Sequence, residues 1–474
     1  MGSHKRLASG FALIELKPCN SSASSFSTRQ PPVLASSVGV LRRFMMALAM
    51  LTALSGLVAC GTTTAGRPAL QPTPVRIESE AGRSQLLVGG RPFYIQGAGM
   101  DSAGAQALAA AGANAVRTWS TESAQEMLDH AWANGLYVAM GLEVARERRG
   151  FDYNDAQAVQ RQLLAVQAEV LKYKDHPALI LWIIGNELNL DSRNPKVWDA
   201  VNGISKMIHT LDPHHPTMTA LAGISQESLQ QISTRAADLD LLGFQMYADI
   251  VNLPRYLKAY GWQRPYLVTE WGATGHWEVA ATAWGAPIED DSTTKANLYR
   301  QRYATAIQPD TQQCLGSFVF LWGQKQERTP TWYGMFLESG EKTAAADVMH
   351  SIWKGAPPAN QSPRVQSATL DDKIAAQNIR LQAGQQVMAK LIADDPDHDA
   401  LRYAWEVTEE SRDLKTGGDK EARPPALPGL IHYPLRAEIT LTAPSKPGAY
   451  RLFGYAYDGK GAAAHVNLPF WVDR

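Results

Sequence analysis

Leu181-Trp182-Ile183-Ile184-Gly185-Asn186-Glu187 is an almost unbroken apolar run that stops on a glycine, an amide and a carboxylate. A strand wet on one face alternates apolar and polar residues. Continuous apolar character suits a parallel strand covered on both faces. Its C-terminal end is then where polar functional groups belong. Tyr266-Leu267-Val268-Thr269-Glu270-Trp271-Gly272 repeats the pattern and again ends in a glutamate.

Eight such strand candidates can be counted along the chain: Phe93–Gln96, Ala113–Thr118, Tyr137–Gly141, Ile180–Ile184, Thr217–Leu221, Leu241–Gln245, Tyr266–Thr269 and Ser317–Leu321. Longer amphipathic stretches separate them: Ser102–Ala111, Thr121–Asn134, Asp155–Tyr173, Pro195–Leu211, Gln226–Ala236, Leu253–Tyr260, Ser292–Ile307 and Ala344–Lys354. A small hairpin is expected first, at Val75–Val88. Alternation of this kind predicts parallel strands joined by crossover helices, and eight pairs within residues 75–356 have the rhythm of a (β/α)8 TIM barrel. An open doubly wound sheet is the alternative, but no glycine-rich phosphate loop follows the first strand. The two glutamates then close strands four and seven.

Pro357-Pro358 and Gln361–Pro363 mark a linker over residues 357–363. Beyond it, alternating runs such as Gln386–Leu391, Leu401–Val407 and Tyr450–Tyr457 predict a small all-β, immunoglobulin-like sandwich over 364–474. Asp394-Asp395-Pro396-Asp397-His398-Asp399 followed by Leu401-Arg402-Tyr403-Ala404-Trp405 resembles modules of the PKD and cadherin-like type. The acidic run reads first as a solvated turn, and as a Ca²⁺ cage in second place.

At the other end, Arg42-Arg43 precedes the apolar stretch Phe44–Leu57, and Leu57-Val58-Ala59-Cys60 resembles the lipobox of bacterial lipoproteins. Residues 1–60 are therefore expected to be an N-terminal extension and signal peptide, Cys60 the lipidated residue, and 61–74 a flexible tether. Gly61 after the cysteine implies, by the same resemblance, an outer-membrane lipoprotein facing periplasm or exterior.

Composition narrows the function. Of 474 residues, 45% are hydrophobic and 19% charged, which is globular, and the formal net charge of -1 argues against nucleic-acid binding. The cysteines, Cys19, Cys60 and Cys314, lack metal-ligand or disulfide spacing. No metal or cofactor is expected. Some of the 13 tryptophans are candidate sugar-stacking platforms, because an indole covers the apolar face of a pyranose.

Two carboxylates at one barrel mouth are the requirement of glycoside hydrolysis: one acid protonates the leaving oxygen and one carboxylate faces the anomeric carbon. In retaining enzymes the two lie about 5–5.5 Å apart, so that the second attacks covalently. Gly185-Asn186-Glu187 with Thr269-Glu270-Trp271-Gly272 resembles glycoside hydrolase clan A, which includes the family 2 and family 5 barrels. The resemblance implies a retaining enzyme with Glu187 as acid/base and Glu270 as nucleophile. Asn114-Ala115-Val116-Arg117 is similar to the clan's Asn-x-x-Arg, which implies Arg117 beside the nucleophile. It further implies that Asn186 contacts the sugar 2-OH, that Tyr247 contacts the nucleophile, and that Trp322 floors the sugar pocket. Leu188 stands where family 5 members usually carry proline, and Gln245 where they often carry histidine.

Other rim candidates for substrate contact are Glu143 after strand three, Trp119 after Arg117, Trp271 beside Glu270, and Trp277 in the long loop after strand seven. Trp284 and His276 share that loop. Glu143 reads equally as a salt-bridge partner of Arg146 or Arg148, and Asp101 as a helix cap. The expected partner is a carbohydrate, with a membrane reached through the lipid anchor. A β-linked, glucan-like poly- or oligosaccharide is the expected substrate. A transglycosylase using the same residues and a non-catalytic carbohydrate-binding lipoprotein are the competing readings.

Overall fold

The computed structural model describes residues 71–100 and 104–474. Cys60, its flanking signal and Asp101 lie outside the described residues. β1 (Val75–Glu80), β2 (Arg83–Val88) and β3 (Arg91–Phe93) form a small antiparallel sheet. It caps the N-terminal end of a barrel: Val75 N–H donates to the His214 carbonyl and Ser84 N–H to that of Gln312, each just ahead of a barrel strand. Leu86 and Val88 pack under the barrel interior with Ile95, Ile183 and Phe318.

Eight parallel strands close that barrel in chain order: β4 (Ile95–Gly99), β5 (Ala115–Arg117), β6 (Tyr137–Leu142), β7 (Leu179–Asn186), β8 (Thr217–Ala222), β9 (Leu241–Gln245), β10 (Tyr266–Glu270) and β11 (Cys314–Val319), the last pairing with the first. The expected first strand began too early. Phe93 belongs to β3, where Arg91-Pro92-Phe93 pairs back on β2, and the barrel strand starts at Ile95. The eighth also shifts, to Cys314–Val319.

Helices α1 (Ala105–Ala110), α2 (Ala124–Ala133), α3 (Ala156–Tyr173), α4 (Lys196–Leu211), α5 (Gln226–Arg235), α6 (Leu253–Ala259), α7 (Ser292–Arg302) and α8 (Ala344–Lys354) accompany the strands. In α4, Val197, Val201, Ile204 and Ile208 recur at helical spacing and are buried, so one apolar stripe seats the helix on the sheet. Asp155 and Asp291 start α3 and α7 by accepting hydrogen bonds from backbone N–H groups of the first turn. No helix among the described residues is long and apolar enough to cross a membrane.

The C-terminal module is a two-sheet β-sandwich. β12 (Arg364–Leu370), β14 (Gln386–Asp394), β17 (Glu438–Thr442) and β16 (Ile431–His432) make one sheet; β13 (Ile379–Gln382), β19 (Ala463–Asp473), β18 (Gly448–Tyr457) and β15 (Arg402–Glu409) make the other. Alternate residues such as Val387, Ala389 and Leu391 face the shared core with Trp405 and Phe470.

Barrel and sandwich form one compact unit. The segment between α8 and β12 is stitched down: the Ser362 N–H donates to Asp347 Oδ2 (2.5 Å) and that of Gln361 to Asp397 Oδ2 (2.6 Å). At the interface Glu289 accepts from Lys295 Nζ (2.5 Å), Thr329 Oγ1 (2.5 Å) and Asn467 Nδ2 of β19 (2.5 Å). Burial pushes the Glu289 carboxyl up, but the charges of Lys295 and His465 and these hydrogen bonds outweigh it and hold it at about 2. Trp284, in the long loop after β10, packs on Trp471 of the module.

Candidate active site

β7 does not run straight to its end. Gly185 takes φ 73°, a left-handed conformation, and the pairing of β7 with β8 shifts register between Ile183 and Asn186. A Cβ on Gly185 would also lie 2.5 Å from the Leu188 side chain, so glycine is required twice over. Glu187 follows at φ 53°, again left-handed and costly for a residue with a side chain. Its N–H is secured by the Ala220 carbonyl (2.9 Å). The kink delivers Asn186 and Glu187 to the mouth of the barrel.

β10 ends differently. Glu270 closes a strand that has no left-handed residue, although its pairing with β9 shifts register between Val268 and Glu270, and donors at the ends of β5 and β9 enclose it. Arg117 Nη1 donates to its Oε1 (2.5 Å), as do Trp119 Nε1 (2.7 Å) and Gln245 Nε2 (3.0 Å); the Tyr247 hydroxyl donates to Oε2 (3.0 Å). Arg117 is fully buried and also donates to Asn186 Oδ1 (2.5 Å), which Gln245 reaches as well (2.7 Å). An ionised carboxylate is the form that such a ring of donors stabilises. Tyr247 stays a protonated donor, its phenol pushed well above the usual range by burial and then by the charge of Glu270.

Glu187 faces the same cavity without any of this. No side-chain hydrogen bond to it is found among the described residues. Burial first, and the charge of Glu270 second, raise its carboxyl to about 7, with Arg148, Arg117 and Arg146 acting weakly the other way. One cavity therefore holds a carboxyl ringed by donors and another, without donors, raised to about 7, the contrast that acid-assisted displacement uses.

The cavity has a volume of about 1780 Å³ and takes in Trp119, Glu143, Asn186, Glu187, Gln245, Tyr247, Glu270 and Trp277. Glu143 is exposed on its wall and makes no ion pair with Arg146 or Arg148. Trp277 projects into it 60% exposed, braced edge-on against Tyr247. Gly99 makes room for Trp119, since a Cβ there would come within 2.7 Å of the indole.

Two expected contacts are corrected. Trp322 packs outside the cavity against Phe336 and Trp353, and Phe320 and Leu321 line the wall instead. Trp271 is fully buried behind β10 against Tyr299 and Tyr303 of the α7 region. Neighbouring residues of a strand face opposite ways, so with Glu270 inward Trp271 must face the helices. The same rule would have put Gln245 with Tyr247, and Trp119 with Arg117, each two residues apart on one face.

Another part of the wall was not anticipated: residues 415–421 of the C-terminal module lie along the barrel mouth. In that module Asp395, Asp397 and Asp399 place carboxylate oxygens within 4.8 Å of one another, and Lys460 Nζ pairs with Asp399 (2.6 Å). It is the one cluster of metal-ligand type among the described residues.

The fold and the paired carboxylates define a (β/α)8 barrel of glycosidase type. Residues 96–279 match the family model described as glycosyl hydrolases family 2, TIM barrel domain. No curated protein sequence matches the chain. Solved structures similar to it include the β-glucuronidase of Faecalibacterium prausnitzii (20% identity, 60% of this chain and 52% of that one, TM-score 0.47). The β-galacturonidase of Eisenbergiella tayi (16%, 60% and 54%, 0.46) and β-glucuronidase 3 of Bacteroides uniformis (13%, 84% and 52%, 0.45) are others. The chain spans about half the length of these structures.

Proposed function

We propose that the protein is a retaining O-glycoside hydrolase that cleaves a β-linked, glucan-like oligo- or polysaccharide by double displacement. The observation that carries this reading is the contrast at the cavity: Glu270 inside four donors, Glu187 without a donor and raised to about 7. The family 2 barrel match over residues 96–279 supports the same class.

In the first step the Glu270 carboxylate attacks the anomeric carbon. The bond to the leaving oxygen breaks, and that oxygen takes the proton of Glu187. Glu187, now a carboxylate, takes a proton from water as the water oxygen displaces Glu270 and releases the sugar. Arg117, Trp119, Gln245 and Tyr247 hold Glu270 aimed while the sugar approaches. Asn186, which accepts from Arg117 and Gln245 as Glu270 does, is the residue we assign to the sugar 2-hydroxyl. Trp119, Phe320 and Trp277 supply aromatic faces for pyranose rings.

A 2-fluoro glycosyl fluoride of the accepted sugar should inactivate the enzyme with one label per chain. Peptide mapping should find that label on Glu270; a label elsewhere, or none, overturns the assignment. Products formed with added acceptor sugar would separate hydrolysis from transfer by the same residues.

We further propose that the chain is an envelope lipoprotein lipidated at Cys60, on the strength of Arg42-Arg43, the apolar run and Leu57-Val58-Ala59-Cys60. Labelled fatty acid should enter the wild-type chain but not Cys60→Ser. Equal labelling of the two would exclude it.

A further inference from the structure

The long connection between β15 and β16 of the C-terminal module has no regular secondary structure, yet it is tightly held against the barrel. Glu421 is its anchor. Its side chain is fully buried, pairs with Arg328, and accepts from the backbone N–H groups of Arg328 (2.5 Å) and Lys415 (2.9 Å). Lys325 Nζ donates to the Gly418 carbonyl (2.7 Å). From another side of the mouth, Arg149 pairs with Asp419 and Arg148 donates to the Gly417 carbonyl (3.4 Å). The module loop is thus gripped by the segments that follow β6 and β11, three places apart around the barrel. Charge-assisted hydrogen bonds at both grips fix it as a wall and not a loose flap.

Two features say what that wall is for. The cavity, at about 1780 Å³, is well above the roughly 300–1,000 Å³ that houses a compact small ligand. It has room for several sugar rings. The second is Gln326. Its neighbours Lys325, Glu327 and Arg328 are all locked in ion pairs. Gln326 lines the cavity, and both atoms of its amide are buried without a protein partner among the described residues. A buried amide left so lacks the partners its polar atoms need, and its one acceptor and two donors suit adjacent sugar hydroxyls. Lys420 of the module also lines the cavity and forms no ion pair among the described residues.

We propose that segment 324–328 of the barrel and loop 415–421 of the C-terminal module together form a distal sugar-binding subsite. Gln326 and Lys420 are its specificity-determining residues, and the substrate is a chain of several sugars. This rests on the glycosidase reading above. The structural link back to the nucleophile is continuous: Lys325 pairs with Glu327 (2.9 Å), Glu327 with His276 (3.5 Å), and His276 packs on Trp277, which braces Tyr247.

The test compares substrates of different length on the full chain. kcat/KM is measured for the best of a panel of 4-nitrophenyl β-glycosides and for oligosaccharides of that sugar of two to six units. Wild-type kcat/KM should rise with length. Gln326→Leu and Lys420→Ala should each lower it roughly tenfold on the longest oligosaccharides, as expected for loss of one hydrogen bond to a polar ligand, and leave the aryl glycoside within about twofold. The loss should sit in KM. No rise with length in the wild type, or an equal loss on aryl glycoside and hexamer, overturns the subsite while leaving the glycosidase intact. A loss confined to Gln326→Leu removes the module's share. Inactivity of the wild type on every substrate would instead defeat the underlying reading.

Discussion

The ends of β7 and β10 present the same side chain to the same cavity and do opposite things with it. At β10 no residue turns left-handed, and the carboxylate of Glu270 is enclosed by an arginine, an indole, an amide and a phenol. At β7 the backbone kinks through two left-handed residues and leaves Glu187 without a donor, facing its neighbour's negative charge. Protonation follows surroundings, so two chemically identical groups are suited to the different roles proposed for them, nucleophile and acid. The strain sits on the acid, where the chain leaves the regular strand to place it.

That difference can be broken most severely at Glu270. Glu270→Gln removes the attacking atom, and kcat should fall on the order of 10⁵-fold or more for every substrate, measured as steady-state hydrolysis of an aryl β-glycoside. A variant retaining a tenth of the wild-type rate would mean that another group attacks.

Glu187→Gln should cost less, roughly 10²–10⁴-fold with a poor leaving group, and much less with 2,4-dinitrophenolate, which departs without a proton. The sign of the pH effect follows from the raised pKa. The group is protonated and competent below about 7, so the wild-type rate should fall as pH rises through that value. In Glu187→Gln that alkaline limb should vanish; its survival would assign the limb to another group.

The smallest catalytic effect is expected outside the cavity. Trp322→Ala should leave kcat/KM within about twofold yet lower thermal stability by roughly 3–5 kcal/mol, because it empties a packed site against Phe336 and Trp353. A large rise in KM without loss of stability would return Trp322 to the sugar pocket.

How legible each feature was depends on how local its cause is. β7 and β10 could be read from their residues because full burial of a parallel strand demands an unbroken apolar run. The glutamates could be read because such a run has only one end at the mouth. The start of β4 was misplaced because Phe93 and Ile95 are both apolar, and only pairing with β2 separates them. Trp322 was misplaced for a similar reason. Once the chain leaves β11 at Val319 the strand no longer dictates which side each residue takes, and Phe320 has the inward place.

Residue order alone was enough for the alternation of strand and helix, the pair of terminal glutamates, and the change of character after the eighth helix. Each is a pattern of burial written into neighbouring residues. Closing the barrel was needed to make Arg117, Trp119, Gln245 and Tyr247 converge on one carboxylate and leave the other bare. Docking the sandwich brought a loop of the second module to the barrel mouth through Glu421 and Arg328, residues 93 positions apart. Contacts at that separation leave no periodicity in the chain, because they arise from closing the barrel and docking the sandwich on it.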